Sequence, residues 1–174
     1  PLVGNWLKKQ LDKYAAGELE LTKIPQAPNP SPAEFQPWET CMTMGTTWAF
    51  NPQESAWKTP HTLLQNLIET TSRGGNLLLN IGPTPQGVFP PEAIERLAYI
   101  ARWMEVNAPA IHNTTYAPPG AWQGGRLTRA GSTFYLHVLD WPADGKLVIG
   151  GFPAKALRAG YLGGAELAFS QQNG

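Results

Sequence analysis

One cysteine, Cys41, in 174 residues excludes an internal disulfide framework, and no Cys/His spacing suits a structural zinc site. Net charge is also missing. Thirteen Lys and Arg balance thirteen Asp and Glu, which leaves no basic stripe for nucleic acid or an anionic membrane. No segment approaches the roughly 18 to 20 consecutive apolar residues that a membrane-spanning helix needs. Pro1-Leu2-Val3-Gly4-Asn5 offers neither an initiator methionine nor a charged leader before an apolar stretch, so the opening does not report on export. A G-x-S-x-G nucleophile elbow and a P-loop are both absent, which argues against a complete small α/β hydrolase or a nucleotide hydrolase.

What the chain does have is apolar content and ring systems. With 42% hydrophobic residues it can bury a core. Seven Trp, 18 Gly and 17 Pro indicate many short turns, together with indoles that serve either as sugar platforms or as ordinary packing.

Along the chain, Leu7, Leu11 and Tyr14 recur at helical spacing between Trp6 and Tyr14, which predicts a short surface helix ended by Gly17. Pro28, Pro30, Pro32 and Pro37 then rule out helix or paired strand over 27–37. Trp38 to Met44 is β-prone and mostly uncharged, and reads as a buried strand running into a loop over 45–57. Thr59 as N-cap and Pro60 at the first helical position open a helix with Leu63, Leu64, Leu67, Ile68 and Thr71 on one face, closed by Gly74-Gly75. Asn76 to Ile81 is a continuous apolar run of the kind found in a central parallel strand covered on both faces. A second helix follows Pro90-Pro91, with Ile94, Leu97, Ala98, Ala101 and Met104 on its expected inner face and an end near Asn107.

After Asn113 the period changes from 3.6 to 2. Thr133 to Leu139 alternates like a two-faced strand, and Lys146 to Ile149, Leu157 to Leu162 and Glu166 to Phe169 read as further short strands. This organisation predicts an α/β unit over 1–113 and a separate all-β unit over 114–174.

Three stretches resemble one enzyme family. Trp38-Glu39-Thr40-Cys41-Met42-Thr43-Met44, continuing through Trp48-Ala49-Phe50-Asn51, is similar to the W-E-x-C-x-T-x strand and S/T-W-G-Y-N loop of glycoside hydrolase family 29, the α-L-fucosidases. Gly74-Gly75-Asn76-Leu77-Leu78-Leu79-Asn80-Ile81-Gly82-Pro83-Thr84-Pro85-Gln86-Gly87 resembles that family's last barrel strand, G-G-N-x-L-L-N-I-G-P-x-x-D-G. Leu127 through Pro142 is similar to the opening of its C-terminal sandwich. Ala49, Phe50 and Gln86 depart from the pattern, where the family carries Gly, often Tyr, and an acidic residue.

The resemblance implies the C-terminal portion of a (β/α)8 TIM-like barrel followed by part of an antiparallel β-sandwich, and a fucosylated oligosaccharide or glycoconjugate as partner. It implies no cofactor or metal, and a secreted, periplasmic or lysosomal setting. It also implies a retaining mechanism, which requires two carboxyl groups about 5 to 5.5 Å apart. The nucleophilic Asp of a W-F-D-G-like strand end has no counterpart, since after Asp12 the only Asp residues are Asp140 and Asp144, so it is expected upstream of Pro1.

For the acid/base, Glu20 and Glu39 compete. Gly17-Glu18-Leu19-Glu20 with Ile24-Pro25 resembles the family loop G-D-Y/F-x-T-P-E-x-x-I-P across a two-residue deletion and without its T-P, whereas Glu39 belongs to the W-E pair. A solvated Glu20 and a merely orienting Glu39 are the bland readings. Trp48 resembles the aromatic that packs on the C5 methyl of fucose, and Trp38 is the second expected sugar contact. An indole buries a methyl well and leaves a 6-hydroxyl unpaired, which favours a 6-deoxy sugar. Asn80 and Thr84 are expected to hold the loop at the strand end, His61 to lie at the surface, and His112 and His137 to be structural. Asn113-Thr114-Thr115 matches a glycosylation acceptor. The competing function is a non-catalytic carbohydrate-binding or structural piece; the helix-strand-helix pattern over 60–107 argues against a pure β module.

Overall fold

The computed structural model describes residues 35–117, 124–152 and 155–172. The expected helix over 6–14 and the candidate Glu20 lie outside the described residues. Strand β1 (Trp38–Thr43) pairs in parallel with β2 (Gly75–Asn80), from Trp38↔Gly75 to Thr43↔Asn80, and helix α1 (Pro60–Ser72) connects them. The alternation of β1 decides its faces. Thr40 and Met42 are buried, while Glu39 and Cys41 share an exposed face with Leu78 of β2. The apolar run of β2 is therefore covered on one side only: Leu79 joins the core, whereas Leu78 is 48% exposed.

Helix α1 begins as its sequence dictates. Thr59 Oγ1 accepts from Thr62 N at 3.1 Å, and Pro60, which has no N–H to lose, occupies the first turn. Its end is equally local: Gly74 at φ 76 turns the chain straight into β2. Leu63 packs with Met44 and Ala93, and Leu64 and Ile68 pack with Ile111. Burial also reaches Asn66, Thr70 and Ser72, so α1 is enclosed over a wider arc than its apolar stripe suggests. The Asn66 side-chain amide donates to Met42 Sδ at 3.2 Å.

Helix α2 (Pro91–Asn107) packs on α1 and runs into a 3₁₀ turn at Ala108–Ala110. Its inner face differs from the expected one. Ala93, Leu97, Ile100, Trp103 and Met104 face the core, while Ile94 is 52% exposed and Ala98 and Ala101 are also exposed. Both stripes have helical spacing through Leu97 and Met104, and the packing of α1 selects the one carrying Trp103.

An antiparallel sheet of order β3-β4-β5 follows, built from Thr115–Tyr116, Gly125–Ala130 and Thr133–Val138. The β4–β5 hairpin turns at Gly131-Ser132. Beyond it, the expected strands at 146–149, 157–162 and 166–169 do not form; an isolated bridge between Gly160 and Glu166 is what pairs there. Val148 and Leu157 are 79% and 86% exposed, so these segments lack the buried face that makes a short strand stable.

Two polar groups join the sheet to the helices. Glu69 of α1 accepts from Arg73 Nε at 2.6 Å and pairs with Arg126 of β4. The fully buried Thr128 donates to the carbonyl of Ala110 at 2.7 Å and meets His137 Nε2 at 3.1 Å.

Candidate functional site

Parallel strands bring their C-terminal ends together, and in α/β proteins that rim is where loops gather chemistry. Here the rim consists of the loop over 45–57 and the ends of β1 and β2. They enclose a shallow, solvent-open depression whose walls include Phe50, Glu54, Trp57 and Asn80.

Trp48 stands on this loop, 58% exposed, with its carbonyl accepting from Asn80 Nδ2 at 2.7 Å. Thr84 organises the next loop, accepting from Val88 N through Oγ1 at 3.2 Å and from Gly87 N through its carbonyl at 2.8 Å. Asn80 and Thr84 thus hold loops, as their positions suggest.

Trp38 sits at the other end of the sheet. It opens β1, its Nε1 donates to the carbonyl of Arg73 at 3.2 Å, and its indole covers Gly75, where any side chain would overlap the ring. The structure does not bring Trp38 and Trp48 together. Glu39 follows Trp38 on β1, exposed on the face shared with Cys41 and Leu78.

The carboxylate that stands at the rim among the described residues is Glu54, which sequence reasoning missed. Its Oε2 accepts from Thr46 Oγ1 at 2.6 Å and Thr46 N at 2.7 Å, and its Oε1 accepts from Ala56 N at 2.8 Å. The Thr46 bonds, hydroxyl first and then amide, hold this carboxyl down from 4.5 to about 2, helped by Ala56 N–H. Three donors converging on one carboxylate make Glu54 an anchor for the loop. No pattern would have found it, because a Glu in a polar loop looks solvated until the chain folds back on it.

Lys58 closes the base of the loop. Its Nζ donates to the carbonyls of Thr43 at 2.9 Å and Gly45 at 3.0 Å, and burial lowers its pKa, partly offset by Glu54. Arg96 of α2 donates through Nε to the Lys58 carbonyl at 2.6 Å and lies 5.5 Å from the Trp57 ring centroid. Among the histidines, His61 and His112 are exposed and His137 is buried.

Comparison with known proteins finds similarity to one family. Residues 3–109 match the family model described as Alpha-L-fucosidase. An α-L-fucosidase of Branchiostoma floridae is 35% identical over 70% of this chain and 28% of its own length. The plasma α-L-fucosidase of Homo sapiens is 34% identical over 65% of this chain and 26% of its own. The chain thus spans about a quarter of the length of the curated relatives it matches. Among solved structures, the Thermotoga maritima α-fucosidase in complex with fucose aligns over 79% of this chain and 34% of its own, at 27% identity and a TM-score of 0.70. A family 29 α-L-fucosidase of Bacteroides thetaiotaomicron, solved as a trapped covalent intermediate, aligns over 79% and 33% at 25% identity and a TM-score of 0.72.

Proposed function

The chain belongs to the α-L-fucosidase family, and from that membership we propose that it is part of a retaining exo-α-L-fucosidase that removes terminal α-L-fucose from glycans. In this reading residues 1–113 supply the C-terminal portion of a catalytic (β/α)8 barrel and residues 114–174 the start of a β-sandwich. The observation that carries it is Trp48, an exposed indole on the C-terminal rim of a parallel strand pair with its backbone fixed by Asn80. Barrel enzymes build their sites on that rim.

Trp48 buries the C5 methyl of fucose, while a 6-hydroxyl in the same place would lose its hydrogen bonds. An Asp contributed from outside these residues attacks the anomeric carbon, breaking the glycosidic bond. A protonated Glu gives its proton to the leaving oxygen and then, as carboxylate, takes one from the water that releases fucose. Glu20 is the first candidate for this second group; Glu39, the rival, stands beside Trp38 at the end of β1 away from the rim. Trp38, expected as a second sugar contact, opens β1 at the end away from this rim and is bonded to the Arg73 carbonyl, so it is not assigned to the sugar.

The test is hydrolysis of an aryl α-L-fucoside by the full-length protein, with Glu20→Gln and Glu39→Gln compared on good and poor leaving groups. The acid/base variant loses turnover far more on poor leaving groups and regains it with azide. Leaving-group dependence in Glu39→Gln alone would reverse the ranking. No hydrolysis by the wild type would end the proposal.

A further inference from the structure

The 45–57 loop is a ring closed by side chains rather than by sheet or helix. At its base Lys58 N donates to the carbonyl of Met44 at 2.8 Å, and Lys58 Nζ ties down Thr43 and Gly45. Its two limbs meet at Glu54, which takes both donors of Thr46 on the outgoing limb and Ala56 N on the returning one. The backbone helps, with Glu54 N donating to the Asn51 carbonyl at 3.1 Å. Gly45 leaves the room: a Cβ there would overlap Glu54 Cγ, Cδ and Oε2. Thr46 is two residues from Trp48.

From this arrangement we infer that Glu54 is a positioning residue for the sugar site, a latch that acts through Thr46 to hold the Trp48 indole at the rim. The inference rests on the reading of Trp48 as the contact to the fucose methyl. Without the latch the first limb loses both Thr46 bonds to the returning limb, and more of the ordering of the indole has to occur when substrate binds. That methyl does not react, so its contact is made equally in ground and transition states. Loosening it raises KM and leaves kcat.

The experiment compares Glu54→Ala, Thr46→Val and Trp48→Ala in the full-length protein, using an aryl α-L-fucoside and the corresponding α-L-galactoside, which adds the 6-hydroxyl. Glu54→Ala is expected to raise KM for the fucoside roughly fivefold with kcat within about twofold of wild type, and to lower the fucoside preference by a similar factor. Thr46→Val, which keeps the backbone donor and loses the hydroxyl, is expected to move both in the same direction by about half as much on a logarithmic scale. A merely structural Glu54 would lower the melting temperature and the active fraction, and leave KM and the sugar ratio alone. The latch is overturned if Glu54→Ala and Thr46→Val leave KM and ratio unchanged while Trp48→Ala alters them. If Trp48→Ala also leaves them unchanged, the underlying reading of Trp48 has failed. Should Glu54→Ala not fold, Thr46→Val decides alone, and an unchanged KM there overturns the inference.

Discussion

Asn80, the last residue of β2, donates from its side-chain amide to the carbonyl of Trp48 across thirty-two residues of sequence. This bond joins the end of β2 to the loop that follows β1 and tethers the backbone that carries the indole. Asn80→Asp preserves the size and removes the donor, placing a carboxylate against a carbonyl. It is expected to cost about 1 kcal/mol in the loop and to raise KM for an aryl fucoside severalfold. Steady-state kinetics and thermal melting of the full-length variant check both.

Trp48→Ala tests the proposed sugar contact directly. Removing the surface that covers one methyl is worth about 1 kcal/mol, so the preference for an α-L-fucoside over the α-L-galactoside should fall roughly five- to tenfold. Equal ratios in variant and wild type would show that the methyl lies elsewhere.

Glu69 holds Arg73 and Arg126, with all three side chains no more than 17% exposed. Deleting the shared carboxylate leaves two guanidinium groups facing each other in a poorly solvated seam. Glu69→Ala should therefore destabilise the full-length protein by about 3 kcal/mol, whereas Glu95→Ala, an exposed partner of Arg96, should cost under about 1 kcal/mol. Comparable losses for the two would contradict the burial of the triad.

His137 is kept neutral. Burial lowers its pKa from 6.5 to about 4, against a smaller upward pull from the Ala110 carbonyl. A depressed histidine contributes stability that is complete above about pH 6.5 and is lost as pH falls through 4, because the unfolded chain takes the proton first. Melting temperature should thus decline between pH 6.5 and 4 in the wild type, and decline less steeply in His137→Leu. Parallel slopes would show that His137 is not the group responsible.

Expressed alone, residues 1–174 should associate and show no fucosidase activity. The face of Cys41 and Leu78 and the outer positions Ile94 and Val106 of α2 are exposed apolar surface. Sedimentation and an aryl fucoside assay decide it; a sharply melting, active monomer would refute the expectation.

The local elements were legible because their signals are local. Thr59-Pro60 started α1 and Gly74 turned it into β2 as their chemistry requires. The inner face of α2 was not, since Ile94 and Ala93 both continue a helical stripe and only the neighbour α1 chooses between them. Strand β4 ends in a local signal of the same kind, the Gly131-Ser132 hairpin turn. At the site, the loop-holding role of Asn80 was legible from its place at a strand end, whereas Trp48 was singled out by the family resemblance alone. Glu54 was not legible, because its role depends on a loop closing on itself, and no period or spacing encodes that.

The anchor at Trp48 is made through its carbonyl, which every amino acid possesses. Its identity can therefore be changed without cutting the tether, whereas Gly75, roofed by the Trp38 indole at the far end of the sheet, admits no other residue. For laboratory evolution the strand pair thus separates into a recodable end and a fixed one. A saturation library at position 48 should return mostly folded proteins that differ in which sugar they prefer, and one at position 75 should return mostly the parent.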